Sequence, residues 1–327
     1  MAIDYSIQQG KFFIVGCTRS GTTLLHQLVA SHSQVVGVYE TYCLKKFNPR
    51  KPVEENIRKV SRNNKEYQMV LSYFKKVLGD TFNKEMDPYQ FLDTYCEAHR
   101  TNFRCFSYVE KSPPHSFFVE GLLSKIPNSK IIAILRDPRA VIASRLFGNR
   151  ASRPYGYKVP RKLHFYLDFS EVLFTYKALN KWYLSPNRRL LFVKYEDLVK
   201  DPEEIIRKIF TFLELPREPV YNNINPLDMR MEALHIAGVM NSSYGKKKGF
   251  TISKSSLKKW IGVLTSSEIR FIENCISQME WRLIRDFYPS LIQTNKSKFK
   301  PFLMKIFSEL DYHFFLIKNI KSLDLRK

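Results

Sequence analysis

Apolar residues along the chain follow two alternating patterns. Short, near-continuous apolar runs occur at residues 12–15, 35–38, 106–109, 130–135 and 190–193. Such runs are typical of strands that are buried on both faces of a parallel sheet. Between them, apolar side chains recur every three or four residues, as expected for helices with one buried face. The alternation predicts an α/β fold with a central parallel sheet flanked by helices.

The junction after the first predicted strand contains the most informative motif. Residues 11–23 read KFFIVGCTRSGTT, where an apolar run stops at Gly16 and a polar loop leads into a helical pattern. A strand, a tight loop and a helix N-terminus direct backbone N–H groups and the positive end of the helix dipole at one spot. The junction therefore predicts an anion site in a P-loop-like, three-layer fold.

The loop differs in one respect from the nucleotide-binding pattern G-x-x-x-x-G-K-[ST]. Gly16, Gly21 and Thr23 are in register with that pattern, but Thr22 stands in place of the lysine. Arg19, three residues earlier, supplies a cation instead. ATP and GTP enzymes use the lysine to reach the β- and γ-phosphates, so this loop indicates a different phosphorylated donor.

A second candidate anion site follows the predicted strand 130–135. Arg136 comes directly after this strand, and Pro138 suits the first turn of a helix. Arg136 is therefore expected at the carboxyl edge of the sheet, where open α/β folds bind ligands. Ser144 lies about two helical turns further on, and an arginine together with a hydroxyl can hold a phosphate. The alternative is that Arg136 pairs with a local carboxylate.

Composition narrows the class of partner. The 327 residues include 53 Lys and Arg against 31 Asp and Glu, and the net charge of +22 favours an anionic partner. No nucleic-acid-binding motif accompanies this charge, so no nucleic acid is expected. The five cysteines are scattered without a C-x-x-C pair, which indicates a reducing compartment and argues against a zinc site. Without a signal-peptide pattern or a long apolar window, we expect a cytoplasmic protein.

The expected organisation is one domain over residues 1–290 followed by a tail over 291–327. A charged, helical stretch at about residues 50–100 separates two predicted strands and is a candidate cap near the acceptor site. The tail is basic and amphipathic. It either docks on the domain or makes a peripheral contact with a membrane surface.

The motifs resemble those of sulfotransferases that use 3′-phosphoadenosine 5′-phosphosulfate (PAPS) and release 3′-phosphoadenosine 5′-phosphate (PAP). Residues 18–25 resemble the 5′-phosphosulfate loop of that family, and residues 136–144 resemble its 3′-phosphate motif. Residues 193–198 and 257–262 resemble two further family segments. The Arg-Ser-Gly-Thr-Thr loop is most similar to the bacterial and tyrosylprotein-type branch.

The resemblance implies roles for the matching residues. Those implied in holding the 5′-phosphosulfate are Arg19, Ser20, Gly21, Thr22 and Thr23. Those implied in binding the remainder of the nucleotide are Arg136, Ser144, Tyr195 and Lys259. Sulfuryl transfer depends on positioning and charge stabilisation, for which Arg19 and Lys111 are the candidate catalytic cations. These cations can neutralise the developing charge, so no metal is required.

A general base must also reach the acceptor hydroxyl. Glu40 follows the short predicted strand 35–38, in a region where related branches carry a catalytic glutamate, and is the candidate base. The alternative is a surface ion pair of Glu40 with Lys45 or Lys46.

The sequence leaves two other functions open beside a sulfotransferase that acts on a hydroxyl acceptor. One is a P-loop kinase or NTPase, in which Asp137 would hold Mg²⁺. The other is a binding protein that retains the nucleotide fold without catalysis. The acceptor also stays open, whether a polyanionic glycan, an acidic peptide, a small metabolite or a lipid.

Overall fold

The computed structural model describes residues 9–38, 40–151, 161–219, 223–224, 250–252, 254, 257–279 and 281–292. The chain divides into two compact units, one comprising Met1–Arg136 with Ser185–Leu257 and the other Asp137–Leu184 with Lys258–Lys327. A single domain over residues 1–290 with a separate tail stays a prediction. Most of that tail, from residue 293 onward, lies outside the described residues.

The first unit contains a five-stranded parallel sheet. In chain order its strands are β1 (Lys11–Gly16), β2 (Val35–Val38), β3 (Ser107–Lys111), β4 (Ser129–Leu135) and β5 (Leu190–Lys194). Their order across the sheet is β2-β3-β1-β4-β5, and each neighbouring pair is parallel. Ile14 of the central strand lies opposite both Lys111 and Ile132. The carboxyl ends of β1, β3 and β4 therefore lie side by side.

Twelve α-helices lie in the described part of the chain. They are α1 (Thr22–Ala30), α2 (Cys43–Lys46), α3 (Val53–Val60), α4 (Asn64–Leu78), α5 (Pro88–Asn102), α6 (Val119–Lys125), α7 (Pro138–Ala151), α8 (Arg161–Tyr183), α9 (Tyr195–Lys200), α10 (Pro202–Leu213), α11 (Ser266–Gln278) and α12 (Arg282–Phe287). The first unit also contains a short antiparallel pair, β6 (Asn223–Ile224) and β7 (Phe250–Thr251), and two 3₁₀ helices, Gly79–Thr81 and Pro113–Phe117.

Helices cover both faces of the sheet in the first unit. Side chains of alternate strand residues, such as Ile14 and Ile132, form one core with the apolar faces of α1, α9 and α10. Phe13 and Tyr108 pack edge to face on the opposite side, where the Tyr108 hydroxyl donates to Asp93 of α5 at 2.9 Å. The predicted α/β fold with a central parallel sheet is thus confirmed.

The boundaries of one predicted strand were wrong. The apolar run predicted a strand at residues 106–109, whereas β3 covers Ser107–Lys111. The strand therefore includes Glu110 and Lys111, two charged residues that are fully buried. Between β2 and β3 the chain also forms α3, α4 and α5, and α5 begins with a capping box formed by Asp87 and Gln90.

The second unit is helical in its described part. Arg145 of α7 donates to Asp168 at 2.8 Å and to both carboxylate oxygens of Glu171, at 2.8 and 2.6 Å, which ties α7 to α8. Phe169 of α8 packs against Phe271 of α11, with ring centroids 5.2 Å apart. Across all described residues, no helix combines the length and apolar character needed to cross a membrane.

Candidate active site

The loop between β1 and α1 has the tight path that its glycines predict. A Cβ atom on Gly16 would lie 2.6 Å from the carbonyl oxygen of Ile134 on β4, so the backbone passes too close for any larger residue. Gly21 has a φ of 97° and its added Cβ would lie 2.2 Å from Cδ2 of Tyr195. Arg19 also has a positive φ, 74°, in a region that non-glycine residues seldom adopt.

The N-terminus of α1 fits an anion. The helix begins at Thr22, and no side chain caps it. Its first-turn N–H groups have no partner within the helix and carry the positive end of the helix dipole. Ser20 is fully buried, and its hydroxyl has no hydrogen-bond partner among the described residues. A phosphate or sulfate at this point would satisfy these donors, since such groups carry several acceptor oxygens.

Arg136 lies beside this loop at the end of β4. Its Nη1 donates to the carbonyl oxygen of Arg19 at 3.0 Å. Its guanidinium carbon lies 4.3 Å from the centroid of the Tyr195 ring, a distance typical of a favourable cation–π contact. Tyr195 begins α9 directly after β5 and also packs over Gly21. The structure therefore brings the loop, Arg136 and Tyr195 together at the carboxyl edge of the sheet.

Lys111 connects the loop to the candidate base. Its Nζ donates to Oγ1 of Thr23 at 3.2 Å and to the carboxylate of Glu40. The Lys111 side chain is fully buried, and that of Glu40 is 17% exposed. Burial lowers the pKa of Lys111, and the negative charge of Glu40 opposes that shift. Glu40 thus pairs with Lys111, and the alternative pairing with Lys45 or Lys46 is wrong.

Two predicted binding residues belong to the second unit. Ser144 lies on α7 and is half-buried. Lys259 begins a short 3₁₀ helix, Lys259–Gly262, and its side chain lies outside the described part of the chain. The role of both in holding a nucleotide stays a prediction.

Asp137, the candidate Mg²⁺ ligand of a kinase, accepts hydrogen bonds from Arg139 Nε at 3.1 Å and Nη2 at 2.7 Å.

The sequence did not single out Tyr42, although it contacts the candidate base. Its hydroxyl donates to Oε2 of Glu40 at 2.6 Å, while Lys111 holds the other carboxylate oxygen. A tyrosine two residues after a glutamate carries no recognisable signal for such a contact. Among the described residues, no three His, Cys, Asp or Glu side chains are grouped as metal ligands would be.

The chain is similar in sequence to known sulfotransferases. The model of the "Sulfotransferase family" matches residues 11–219, which includes the loop, Glu40, Lys111, Arg136 and Tyr195. The chain is 31% identical over 115 residues to "Omega-hydroxy-beta-dihydromenaquinone-9 sulfotransferase Stf3" of Mycobacterium tuberculosis, covering 33% of this chain and 28% of that protein. It is 23% identical over 203 residues to mouse "Carbohydrate sulfotransferase 1", covering 54% of this chain and 45% of that protein.

The fold also matches a solved structure. The "Sulfotransferase Domain from the Curacin Biosynthetic Pathway" superposes with a TM-score of 0.54 and 21% identity, over 85% of this chain and 99% of that domain. The chain spans between 28% and 45% of the length of the curated relatives it matches. The family model covers well over half of the chain, from the first strand past α10. The chain therefore belongs to the sulfotransferase family.

Proposed function

We propose that the protein transfers a sulfuryl group from PAPS to a hydroxyl group of an acceptor. The observation that carries the proposal is the position of the buried Lys111, whose ammonium group joins Thr23 at the start of α1 to the carboxylate of Glu40. An anion held at the helix N-terminus lies next to a cation and a candidate base. In-line transfer between oxygen atoms requires these groups in that arrangement.

The residues present fit the donor. Bound PAPS would supply the sulfuryl group, and PAP would be the leaving group. The N–H groups of Gly21, Thr22 and Thr23, with the hydroxyls of Ser20, Thr22 and Thr23, would hold the 5′-phosphosulfate together with Arg19. Arg136 would hold the 3′-phosphate, with its guanidinium over the Tyr195 ring. Ser144 and Lys259 are proposed to complete the nucleotide site.

The chain's own residues would then perform two tasks during transfer. Glu40 would accept the proton of the acceptor hydroxyl, since Tyr42 and Lys111 hold one carboxylate oxygen each. Lys111 and Arg19 would stabilise negative charge as it develops on the transferred group. Lys111 suits this task because burial excludes water from its ammonium group, which strengthens its electrostatic interactions.

Two features distinguish this proposal from a kinase or NTPase. Thr22 occupies the position of the phosphate-binding lysine, and both oxygens of Asp137 accept bonds from Arg139. The same loop, Arg-Ser-Gly-Thr-Thr, together with Glu40 supports placement in the bacterial and tyrosylprotein-type branch. No disulfide joins any of the five cysteines, all of which lie in the described part of the chain, and this supports a reducing compartment.

The curated relatives are named for different acceptors, a menaquinone derivative and carbohydrate. We propose an anionic acceptor for this chain, on the basis of its net charge of +22 and the exposed Lys45 and Lys46 that follow Glu40 on α2. An acceptor screen with labelled PAPS, pairing each anionic acceptor with a neutral analogue of the same size, tests this class. Faster transfer to the neutral members would refute it.

Donor binding is tested by calorimetry with PAP and with adenosine 5′-phosphate, which lacks the 3′ group. PAP should bind more tightly, and Arg136→Ala should remove most of that difference. Arg188→Ala is the matched control, because Arg188 is an exposed arginine just before the amino end of β5. Equal affinity of the wild type for both nucleotides, or Mg²⁺-dependent hydrolysis of ATP without transfer from PAPS, would contradict the proposed function.

A further inference from the structure

Glu110 is a buried carboxylate that the proposed chemistry does not use. It is the penultimate residue of β3, next to Lys111, and its side chain is fully buried. A buried charge is costly unless hydrogen bonds and an opposite charge compensate it. The partners of Glu110 therefore indicate the role of this buried carboxylate.

Three donors from two separate segments converge on one oxygen of Glu110. Oε1 accepts from the backbone N–H of Thr41 at 3.3 Å, from the Thr41 hydroxyl at 3.0 Å and from the Ser112 hydroxyl at 2.6 Å. Oε2 lies 3.2 Å from Nδ1 of the equally buried His115. Burial raises the pKa of Glu110, but His115 and the hydrogen bonds outweigh burial, so the pKa lies below its usual value and the carboxylate is ionised at neutral pH.

These bonds reach the candidate base through its two following residues. Thr41, held directly by Glu110, is the next residue after Glu40. The hydroxyl of Ser112 donates to Glu110 and accepts from the backbone N–H of Tyr42 at 3.1 Å. Tyr42 has a φ of 48°, in the left-handed region that is unfavourable for a bulky residue. Its hydroxyl donates to Oε2 of Glu40 at 2.6 Å.

We propose that Glu110 is a positioning residue for the transfer reaction, acting through Thr41 and through Ser112 and Tyr42 to hold Glu40 against Lys111. The inference rests on the proposed role of Glu40 as base. The clamp, comprising Glu110, Thr41 and Ser112, fixes the backbone on the carboxyl side of Glu40 and holds Tyr42 in its strained conformation. The same strand end supplies Lys111, so one short segment sets the position of both reacting-site charges.

The clamp can be loosened without removing the buried charge. Ser112→Ala deletes the bonds to Tyr42 and to Glu110. Thr41→Val deletes the hydroxyl bond to Glu110 and the bond that the hydroxyl accepts from the Cys43 N–H, whereas Thr41→Ser keeps both. Ser116→Ala is the matched control, because the Ser116 hydroxyl is buried in the same segment and has no hydrogen-bond partner among the described residues. Small displacements of a catalytic group lower kcat by about tenfold to a hundredfold.

In a PAPS transfer assay, Ser112→Ala and Thr41→Val should therefore lower kcat by about tenfold or more. The affinity for PAP should stay within about twofold of wild type, while Thr41→Ser and Ser116→Ala should keep wild-type kcat. A loss of folded protein alone would lower the apparent kcat and the number of PAP sites counted by calorimetry by the same factor. Wild-type kcat in both Ser112→Ala and Thr41→Val would overturn the proposal.

Hydrogen–deuterium exchange supplies a readout that needs no turnover. The N–H of Tyr42 should exchange faster in Ser112→Ala than in wild type or Ser116→Ala, because it loses its acceptor. Unchanged exchange would overturn the clamp even if transfer is observed. Absence of transfer by the wild type, with the faster exchange present, would overturn the proposed function and leave the clamp supported as the device that holds the Glu40 loop.

Discussion

The ion pair between Glu40 and Lys111 gives the sharpest energetic prediction. Lys111 is fully buried, and its ammonium group donates to the carboxylate of Glu40 and to the hydroxyl of Thr23. Replacing Glu40 with glutamine keeps the shape of the side chain but removes the carboxylate that pairs with the buried ammonium group. Because Glu40 raises the pKa of Lys111 against the lowering effect of burial, its loss should lower that pKa further.

The magnitude follows from the burial of the two partners. Removing one partner of a fully buried pair costs about 3–5 kcal/mol. Glu40 is 17% exposed, so water and salt screen part of the interaction, and we expect a loss of about 1–3 kcal/mol for Glu40→Gln. Adding Lys111→Met removes the buried ammonium charge, so the double variant should recover part of the lost free energy of unfolding. The coupling energy between the two positions should exceed about 1 kcal/mol.

Urea unfolding of the wild type, both single variants and the double variant measures this coupling. The folded-state pKa of Lys111 lies below its unfolded value of 10.5, so the folded state binds fewer protons and becomes more stable as pH rises toward that value. This gain should be larger in Glu40→Gln, so the destabilisation of that variant should shrink as the pH rises toward 10.5. A coupling energy near zero, or a destabilisation independent of pH, would refute the role of the pair.

Two further predictions concern the loop and the second unit. Gly21→Ala should abolish PAP binding in calorimetry and lower the free energy of unfolding by about 1–3 kcal/mol. Both effects are expected because the residue has a positive φ and its added Cβ would overlap Tyr195. Gly262→Ala is the control and should bind PAP normally, since an added Cβ would have no atom within 4 Å. Arg145→Met should be more destabilising at pH 7 than at pH 4 in urea unfolding. Burial raises the pKa of Asp168 above its ordinary 3.8, and Arg145 partly offsets this rise. Without Arg145 the folded-state pKa of Asp168 should rise further, so the variant should lose more stability than the wild type as the pH rises above 3.8. Equal destabilisation at about pH 4 and about pH 7 would contradict this assignment.

Much of the fold could be predicted because the central strands are apolar on both faces. The runs in β1 and β4 reflect burial between two layers of helices, and the loop after β1 carries glycines that the structure requires at Gly16 and Gly21. Arg136 was correctly predicted to follow β4, and Pro138 to lie in the first turn of α7. These features depend on local sequence alone.

The end of β3 could not be predicted for a physical reason. Glu110 and Lys111 interrupt the apolar pattern, but both are buried because their partners compensate their charges. Some of these partners, Glu40 and Thr41, lie about 70 residues away in the sequence, as the separations of 71 and 69 residues show. Periodicity reflects only residues that are close together in the chain, so it cannot reveal such distant partners. The contact between Tyr42 and Glu40 carried no signal for a different reason. The two residues are only two apart in the chain, and the pattern of residues does not reveal the left-handed backbone that Tyr42 adopts.

The central claim is that one nucleotide is held at two places, at the N-terminus of α1 and at Arg136. A crystal structure of the wild-type protein with PAP bound tests it most directly. We predict the 5′-phosphate against the N–H groups of Gly21, Thr22 and Thr23, and the 3′-phosphate within hydrogen-bond distance of Arg136. Electron density for PAP away from both the loop and Arg136 would contradict the account.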